Sequence, residues 1–441
     1  MPALAAWTAF LLCRHLTHSF WPSLAGGYLF GFSSYMLGQL EGHIHMSSVF
    51  LLPLAALVVI RYLEGSLGTR GLTLRLGLLL AGQILLSTEV VFTLTLALAA
   101  TLVCAFAFVP PMRPRLRSIP GPLAGAYVIA GAITSPLLAF AAAHFQGESI
   151  NAPGIFNADL LNLVVPTSLT AVSGGWAHRT AAAFVGNDAE NGAYLGLPLL
   201  TILAAFAWSR RRSAGSRLLV VLIALGILAE LGPDLRVRGA SYAPLPWKAV
   251  VHFPIFDNVL PVRLAAYVAL AAAAAVALWA AGPAPRWVRI ALVAVAVVAI
   301  APAFWHHAWH TQPNRPAFFS TGLYKHYLAR NETVLLLPYP SVNDGMLWQA
   351  ESGFRFRVAD ASLSPAIPRG APDRRTVLEI VDSYPPAGSG DAILSLAHAQ
   401  GVTAIVVDAG SPEPWRTLLE GTGLHGRKLG GVYLYRVTLT A

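Results

Sequence analysis

Residues 90–109, VVFTLTLALAATLVCAFAFV, form an apolar stretch without a single charged side chain. A helix needs about 20 such residues to cross the hydrocarbon core of a membrane, which is roughly 30 Å thick. Similar apolar runs recur through the first three hundred residues. The stretch therefore predicts a transmembrane helix, and its repetition predicts a protein that crosses the membrane many times.

The composition supports a membrane protein. Only 12% of the residues are charged and 56% are hydrophobic, whereas a soluble domain carries about 25% charged residues. The net charge of +9 would suggest a nucleic-acid partner for a soluble protein, but here it indicates arginines on cytoplasmic loops, and we expect no nucleic acid. Both cysteines, Cys13 and Cys104, lie in apolar segments, which argues against a disulfide framework.

The hydrophobic pattern predicts a mainly α fold, a polytopic bundle of about ten membrane helices. Each predicted helix is bounded by glycine, proline or charge. The predicted helices are, roughly, 3–16, 21–40, 46–63, 72–87, 90–109, 122–143, 193–208, 217–231, 261–281 and 288–305.

The distribution of arginine predicts the orientation of these helices. Alternate connections are rich in arginine, and the positive-inside rule places them in the cytoplasm. The loops 144–192 and 232–260, and everything after 306, then lie on the other side of an inner (cytoplasmic) membrane. In this orientation Met1 also lies outside. We therefore expect that an earlier helix and its outer loop precede this chain in the natural protein.

The last part of the chain changes character and predicts a small α/β domain. Residues 333–338, 402–408 and 430–437 have the pattern of short strands, and 374–384, 391–400 and 414–421 have helical spacing. Strands that alternate with helices are typical of an α/β fold. The sequence thus predicts a transmembrane domain over 1–305 and an extracytoplasmic α/β domain over 306–441.

A first polar cluster precedes the helix predicted at 46–63. Glu41, His43 and His45 could bind a divalent metal or a phosphate-bearing head group, because imidazole and carboxylate suit both ligands. The alternative is a polar turn at a helix start, with Ser47 and Ser48 as capping residues.

A second set of candidates lies in the long outer loop. Asp159, Asp188 and Glu190 could bind sugar hydroxyl groups, and an ionised acid there could act as a general base. The alternative is that these acids cap the helical segments that follow them. A loop of this length is usually functional when it is ordered.

Two further charges lie at predicted membrane edges. Arg263 begins a helix two residues after Pro261, and an arginine there could bind a phosphate or extend its side chain to lipid head groups. Glu89 lies at the tip between two apolar helices, where it could cap a helix beside Ser87 and Thr88 or face the same outer cavity.

Several segments together resemble bacterial multispanning membrane glycosyltransferases of the GT-C type. They are residues 26–57, which contain QLEGHIH, residues 186–200, GNDAENGAYLGLPLL, residues 253–267, FPIFDNVLPVRLAAY, and the tail segments 346–356 and 430–437. The resemblance implies a helical membrane core with the active site on its outer face. It also implies a polyprenyl-phosphate-linked sugar as donor and a lipid or glycan as acceptor.

The resemblance assigns substrate contacts but no catalytic residue. Such enzymes place an acid in their first outer loop, which has no counterpart in this sequence, so the catalytic residue is unknown. Glu41, His43 and His45 resemble the outer junction of the family, and Arg263 resembles an arginine that contacts the lipid phosphate. No metal site is assigned and no cofactor is certain, although a divalent metal is compatible with these side chains.

The predicted function is transfer of a sugar on the outer face of the membrane. An outer acid would deprotonate the acceptor hydroxyl, and arginines would stabilise the departing polyprenyl phosphate. Membrane lipids are expected partners. Two alternatives remain open: a transporter or flippase of a lipid-linked sugar, and a non-catalytic scaffold whose tail binds an envelope partner.

Overall fold

The computed structural model describes residues 1–144, 156–251, 253, 256, 259–303, 312–339, 344–359, 380, 385 and 387–438. The described part of the chain is mainly helical, with 61% of the described residues in helices and a sheet region near the carboxyl terminus. It divides into two compact units. The described residues up to Ala303 form the helical unit, and those from Gln312 onward form the α/β unit.

The helical unit contains thirteen α-helices within its described residues. They are α1 (Pro2–Thr17), α2 (Phe20–Gly31), α3 (Ser34–Gln39), α4 (Leu51–Glu64), α5 (Thr69–Leu86), α6 (Thr88–Phe108), α7 (Arg113–Ser118), α8 (Pro120–His144), α9 (Gly175–Ala181), α10 (Leu197–Ser209), α11 (Ala214–Glu230), α12 (Ala265–Ala280) and α13 (Arg286–Ala299). A short hairpin of β1 (Asp234–Val237) and β2 (Ala240–Pro244) follows α11.

Four helical segments of the described chain are long and apolar enough to cross a membrane: α5, α6, α8 and the segment Pro261–Ala280, which contains α12. They differ in their surroundings. Only 22% and 17% of the residues in the apolar stretches of α6 and α8 are buried, whereas 83% of those in Pro261–Ala280 are buried. α6 and α8 thus expose apolar side chains such as Val103 and Val128, as expected for a surface in contact with lipid. α12 is the central helix of the unit.

Small residues allow α12 to pack closely against its neighbours, which include α1, α2, α10, α11 and α13. Ten of its sixteen residues are alanine. A Cβ atom built on Gly26 of α2 would lie 3.0 Å from the carbonyl oxygen of Ala273 and 3.2 Å from the Cβ atom of Ala277. Such packing of small residues is typical of helices that associate in membranes.

The predicted helix over 21–40 is wrong in one respect, because the structure breaks it into α2 and α3. Phe32 leaves the helical conformation, and Ser33 then caps α3 by accepting a hydrogen bond from the backbone N–H of Met36 (3.4 Å). The next helix begins at Leu51 and not at 46, so residues 40–47 form a turn. The polar residues of this turn therefore directly follow the carboxyl end of α3.

The α/β unit is built on a five-stranded sheet with the order β4-β3-β5-β7-β6. β3 pairs in parallel with β4 and β5, and β7 pairs antiparallel with β5 and β6. The strands are β3 (Thr333–Leu337), β4 (Arg357–Val358), β5 (Ala404–Asp408), β6 (Arg427–Leu429) and β7 (Val432–Arg436), and the helices are α14 (Ala317–Ser320), α15 (Gly345–Glu351), α16 (Gly390–Ala399) and α17 (Trp415–Gly421).

Both faces of this sheet are buried. Along β3, Val334 and Leu336 pack in one cluster with Trp348, while Leu335 and Leu337 pack in another with Trp415. Successive side chains of a strand point to opposite faces, so a continuous apolar strand indicates helices on both sides. The run TVLLL is therefore the sequence expected for an inner strand.

The three strands predicted in the tail are present as β3, β5 and β7, and two of the predicted helices are α16 and α17. The helix predicted over 374–384 and the predicted domain boundary at 305–306 lie outside the described residues, apart from Ile380, which is helical. The short strands β4 and β6 were not predicted from sequence. β4 has two residues and β6 has three, too few for a pattern of alternation.

Candidate functional site

Arg263 lies at the centre of a buried ionic cluster. It belongs to the short 3-10 turn Pro261–Leu264, which begins the segment that continues as α12, and its side chain is only 9% exposed. Its Nη1 atom donates to Oε2 of Glu89 (2.6 Å). Its Nε atom donates to both carboxylate oxygens of Glu190 (3.2 and 3.1 Å), and Nη2 donates to Oε1 of Glu190. One guanidinium thus binds two carboxylates from distant parts of the chain.

Glu89 enters the cluster from the first turn of α6. Ser87 caps this helix by accepting a hydrogen bond from the backbone N–H of Val90 (3.3 Å), and an acid in the first turn is favoured by the helix dipole. Oε2 of Glu89 accepts from Arg263, but Oε1 is buried and accepts no hydrogen bond from the part of the chain that the structure describes. Glu89 therefore retains an acceptor atom without a partner.

Glu190 enters from the loop before α10 and is fully engaged. Its side chain is 3% exposed, and the buried Gln39 donates from Nε2 to Oε2 of Glu190 (3.2 Å) and to the carbonyl oxygen of Ala189 (3.1 Å). The side chain of Asn187 accepts a hydrogen bond from the backbone N–H of Glu190 (3.0 Å). Both oxygens of Glu190 are thus satisfied, as a buried carboxylate requires.

Two glycines allow the loop of Glu190 to lie directly against α3. A Cβ atom on Gly38 would lie 2.4 Å from the carbonyl oxygen of Ala189, and a Cβ atom on Gly192 would lie 2.7 Å from the Cα atom of Tyr35. Both distances are shorter than any real Cβ contact. The glycines are therefore needed for the close approach that brings Gln39 within reach of Glu190.

His43 and His45 form the more exposed side of the cluster. Nδ1 of His43 is hydrogen-bonded to Oε1 of Gln39 (3.1 Å) and lies 3.4 Å from Oε1 of Glu190. The two imidazole rings lie 6.0 Å apart at an angle of 74°. Partial burial lowers the pKa of both histidines, and the positive charge of Arg263 lowers it further, against the opposite effect of Glu89 and Glu190. The neutral form of both imidazoles is therefore favoured.

Buried hydroxyl groups support the cluster. Tyr35 of α3 donates to the carbonyl oxygen of Met46 (3.0 Å) and thus holds the turn that carries the histidines. Tyr267, which follows Arg263 by about one helical turn, is hydrogen-bonded to Thr93 of α6 (2.9 Å). These bonds fix the turn at 40–47 relative to α3, and the start of α6 relative to the start of α12.

The other predicted site residues have different positions. Glu41 lies partly exposed in the same turn as the histidines. Asp159 is buried, and its oxygens accept from the backbone N–H groups of Leu161 (2.9 Å) and Gly239 (2.7 Å), which is the capping alternative. Asp188 is hydrogen-bonded to Ser168. The structure therefore brings together Glu190, His43, His45 and Arg263, whereas Asp159 and Asp188 make loop contacts.

A metal ion has no prepared site in the described part of the chain. No group of three or more histidine, cysteine, aspartate or glutamate side chains is arranged there to hold one. The guanidinium of Arg263 occupies the position between the two carboxylates, where a cation would otherwise bind. The charge of Glu89 and Glu190 is thus balanced in part by a side chain of the protein.

Two residues of the cluster were not among the predicted site residues. Glu89 was considered as a helix cap or as a residue facing the outer cavity but was not selected as a site residue, and Gln39 was not considered. Each lies far from its partners in sequence: Glu89 is 174 residues from Arg263, and Gln39 is 151 residues from Glu190. A weak signal existed for Glu89, which lies between two apolar runs, because ionisable residues within apolar membrane segments are rare and are usually functional.

The fold and the cluster define a membrane protein with a buried ionic site at the ends of apolar helices. The chain belongs to a family described as Domain of unknown function (DUF6311), whose match covers residues 2–253. The matched range includes Gln39, His43, Glu89 and Glu190 and ends before Arg263. No curated protein matches the sequence.

Proposed function

We propose that the protein is an integral membrane glycosyltransferase of the GT-C type with about ten membrane helices. It would transfer a sugar from a polyprenyl-phosphate donor to a lipid or glycan acceptor on the extracytoplasmic face of the cytoplasmic membrane. The observation that carries the proposal is the carboxylate of Glu89, which is fixed through one oxygen while the other lacks a hydrogen-bond donor among the described residues.

Glu89 is the general base in this proposal. An acceptor hydroxyl that reaches Oε1 would supply the missing donor, and a buried acceptor without a partner costs about 1–3 kcal/mol. As the hydroxyl oxygen attacks the anomeric carbon, its proton moves to Glu89. The bond between the anomeric carbon and the phosphate oxygen breaks, and the polyprenyl phosphate leaves with the electron pair. A positioned base of this kind contributes about 10²–10⁴-fold to a rate.

Arg263 acts as a positioning residue in this scheme. Its guanidinium already binds Glu89 and Glu190, so its main effect is to fix the orientation of the base. Glu190 holds Arg263 in turn, since both of its oxygens accept hydrogen bonds from Arg263. Gln39 holds Glu190 through a further hydrogen bond to Oε2. This arrangement differs from direct contact between Arg263 and the lipid phosphate, which the resemblance to the family implied.

His43 and His45 are the proposed contacts of the donor phosphate. They lie on the more exposed side of the cluster, and their pKa values are sensitive to the charges of Arg263, Glu89 and Glu190. Neutral imidazoles can donate one hydrogen bond each. A phosphate beside them would favour the protonated form, so donor binding would be accompanied by proton uptake.

The test is a transfer assay with the full chain in liposomes. The donors are undecaprenyl phosphates that carry ¹⁴C-labelled glucose or mannose, and the acceptor is a total extract of envelope lipid and polysaccharide. Glu89→Gln keeps the shape of the side chain and can still accept from Arg263. We expect this variant to lose at least about 100-fold in the rate of transfer. The matched control is Glu64→Gln, whose carboxylate pairs with His15 (2.8 Å) at the exposed end of α4.

Three results would contradict the proposal. Wild-type rates in Glu89→Gln would exclude Glu89 as the base. Movement of the labelled lipid across the bilayer without transfer would favour a transporter. Neither transfer nor movement with any donor would favour a non-catalytic scaffold.

A further inference from the structure

The α/β unit contains an open cleft at the edge of the sheet where β3 and β5 begin and β7 ends. The cleft has a volume of about 580 Å³, within the range of small-ligand sites. Its lining comes from residues 325–332, which precede β3, together with Arg355, Thr403 and Arg436. These segments are held together by backbone hydrogen bonds, such as that from Asn331 N–H to the carbonyl oxygen of Arg355 (2.8 Å).

The lining of the cleft is strongly basic. It includes Lys325, Arg330, Arg355 and Arg436, with His326 beside them, against a single carboxylate, Glu332. Lys325, His326 and Arg330 are exposed, and Nε of Arg355 is buried without a hydrogen-bond partner among the described residues. A concave surface with one sign of charge concentrates ligands of the opposite charge.

Glu332 pairs with Arg436 but does not neutralise Lys325, Arg330 or Arg355, because its oxygens are already used. Oε1 accepts from Thr403 (2.9 Å) and from Arg436, and Oε2 accepts from the backbone N–H of Ala329 (2.6 Å). Its side chain is only 7% exposed. No ion pair joins Lys325, Arg330 or Arg355 to a described residue. Their charges are therefore available to a ligand.

We propose that this cleft binds an acidic oligosaccharide, a sugar chain that bears carboxylate or phosphate groups. Its lining is mostly polar, and Leu328, which also lines it, is buried, so it offers little surface to an acyl chain or to apolar peptide side chains. The ring of Tyr327 has the guanidinium of Arg427 over it at 5.4 Å, which leaves little aromatic surface for a nucleobase to stack on. A hydrated polyanion fits this open and basic surface best. The binding stands independently of the proposed transferase activity.

The experiment measures binding of fluorescent hexagalacturonate to the purified full chain in detergent. We expect saturable binding that weakens between 50 and 500 mM salt, since salt screens exposed charges. Neutral maltohexaose should not compete. The double variant Arg330→Gln/Arg355→Gln should raise the Kd at least about tenfold, because each arginine offers charge-assisted hydrogen bonds. The matched control is Lys428→Gln, which removes an exposed charge on β6 outside the cleft.

Each of the other outcomes overturns the proposal. Absence of saturable binding to the wild-type chain would exclude the ligand class. An unchanged Kd in the double variant, with exchange of backbone hydrogens in β3 and β5 as in the wild type, would place the binding elsewhere. Tighter binding of hexaglutamate than of hexagalacturonate would assign the cleft to an acidic peptide.

Discussion

Two arginines in this protein pair with glutamates in opposite surroundings. In the helical unit, the side chain of Arg263 is 9% exposed and binds two carboxylates. In the α/β unit, the side chain of Arg436 is 53% exposed and binds one carboxylate, in a cleft where cations outnumber acids. The first arginine is satisfied within the protein, whereas the second belongs to a surface with excess positive charge.

This difference shows how burial changes the role of an ion pair. Separating a buried pair leaves an uncompensated charge in a medium of low polarity, which costs about 3–5 kcal/mol. An exposed pair contributes about 0–1 kcal/mol, because water solvates both charges when they separate. The cluster at Arg263 is therefore suited to fixing a carboxylate in one orientation. The cleft at Arg436 is suited to exchanging water for a charged ligand.

Removing Arg263 and Arg436 in separate variants should give the largest difference in lost stability between the two units. Arg263→Leu leaves Glu89 and Glu190 without their cation and should destabilise the helical unit by about 3–5 kcal/mol. Arg436→Leu, the matched change at a pair whose arginine is exposed, should cost the α/β unit less, because Glu332 keeps its hydrogen bonds from Thr403 and from the backbone N–H of Ala329. Hydrogen–deuterium exchange of peptides from each unit measures the two losses separately.

A triple variant sharpens this comparison. Arg263→Leu combined with Glu89→Gln and Glu190→Gln removes both orphaned charges and should recover much of the lost protection from exchange. Equal protection in the single and triple variants would mean that packing of the arginine, and not its charge, stabilises the helical unit. Equal losses for Arg263→Leu and Arg436→Leu would contradict the comparison itself.

Gly192→Ala tests whether close backbone packing positions the buried cluster. The new Cβ atom would lie 2.7 Å from the Cα atom of Tyr35, so the loop that carries Glu190 must move. Strain of this kind costs about 1–3 kcal/mol. Gly215→Ala is the control, since nothing lies within 4 Å of its Cβ position in α11. Exchange of peptides that contain residues 34–47 and 187–195 measures the effect, and equal exchange in the two variants would contradict it.

Much of the fold could be predicted from the sequence because its signals are local. Apolar runs predicted the helices that became α5, α6 and α8, and the run TVLLL predicted β3. The break between α2 and α3 was missed, because Phe32 and Ser33 are only a local interruption in an otherwise apolar stretch. Ser33 has a capping role only in the folded chain.

The candidate site was less predictable because it depends on contacts between distant residues. His43, His45, Glu190 and Arg263 were selected for their chemistry, and the structure brings them together. Asp159 was selected on the same grounds, yet its oxygens accept backbone hydrogen bonds. Sequence alone could not show which carboxylate meets Arg263, because that depends on how the chain packs around α12.

The smallest expected effect concerns pH and again contrasts burial with exposure. Burial lowers the pKa of His43 and His45, so the unfolded chain binds protons at these positions before the folded chain does as the pH falls. The folded state therefore loses stability as the pH decreases below the ordinary histidine pKa of about 6.5. Affinity for a donor phosphate should change in the opposite direction and rise over the same range, because a phosphate binds imidazolium better than imidazole.

The double variant His43→Gln/His45→Gln should lose less stability than the wild type between pH 7.5 and 5.5, measured as the difference in exchange of residues 34–47. It should also lose the rise in donor affinity. His326, exposed in the cleft, provides the comparison, and His326→Gln should leave this difference unchanged. An identical pH dependence in the wild type and the double variant would mean that the histidines are equally protonated in the folded and unfolded chains. That result would contradict the lowered pKa of His43 and His45 in the folded chain.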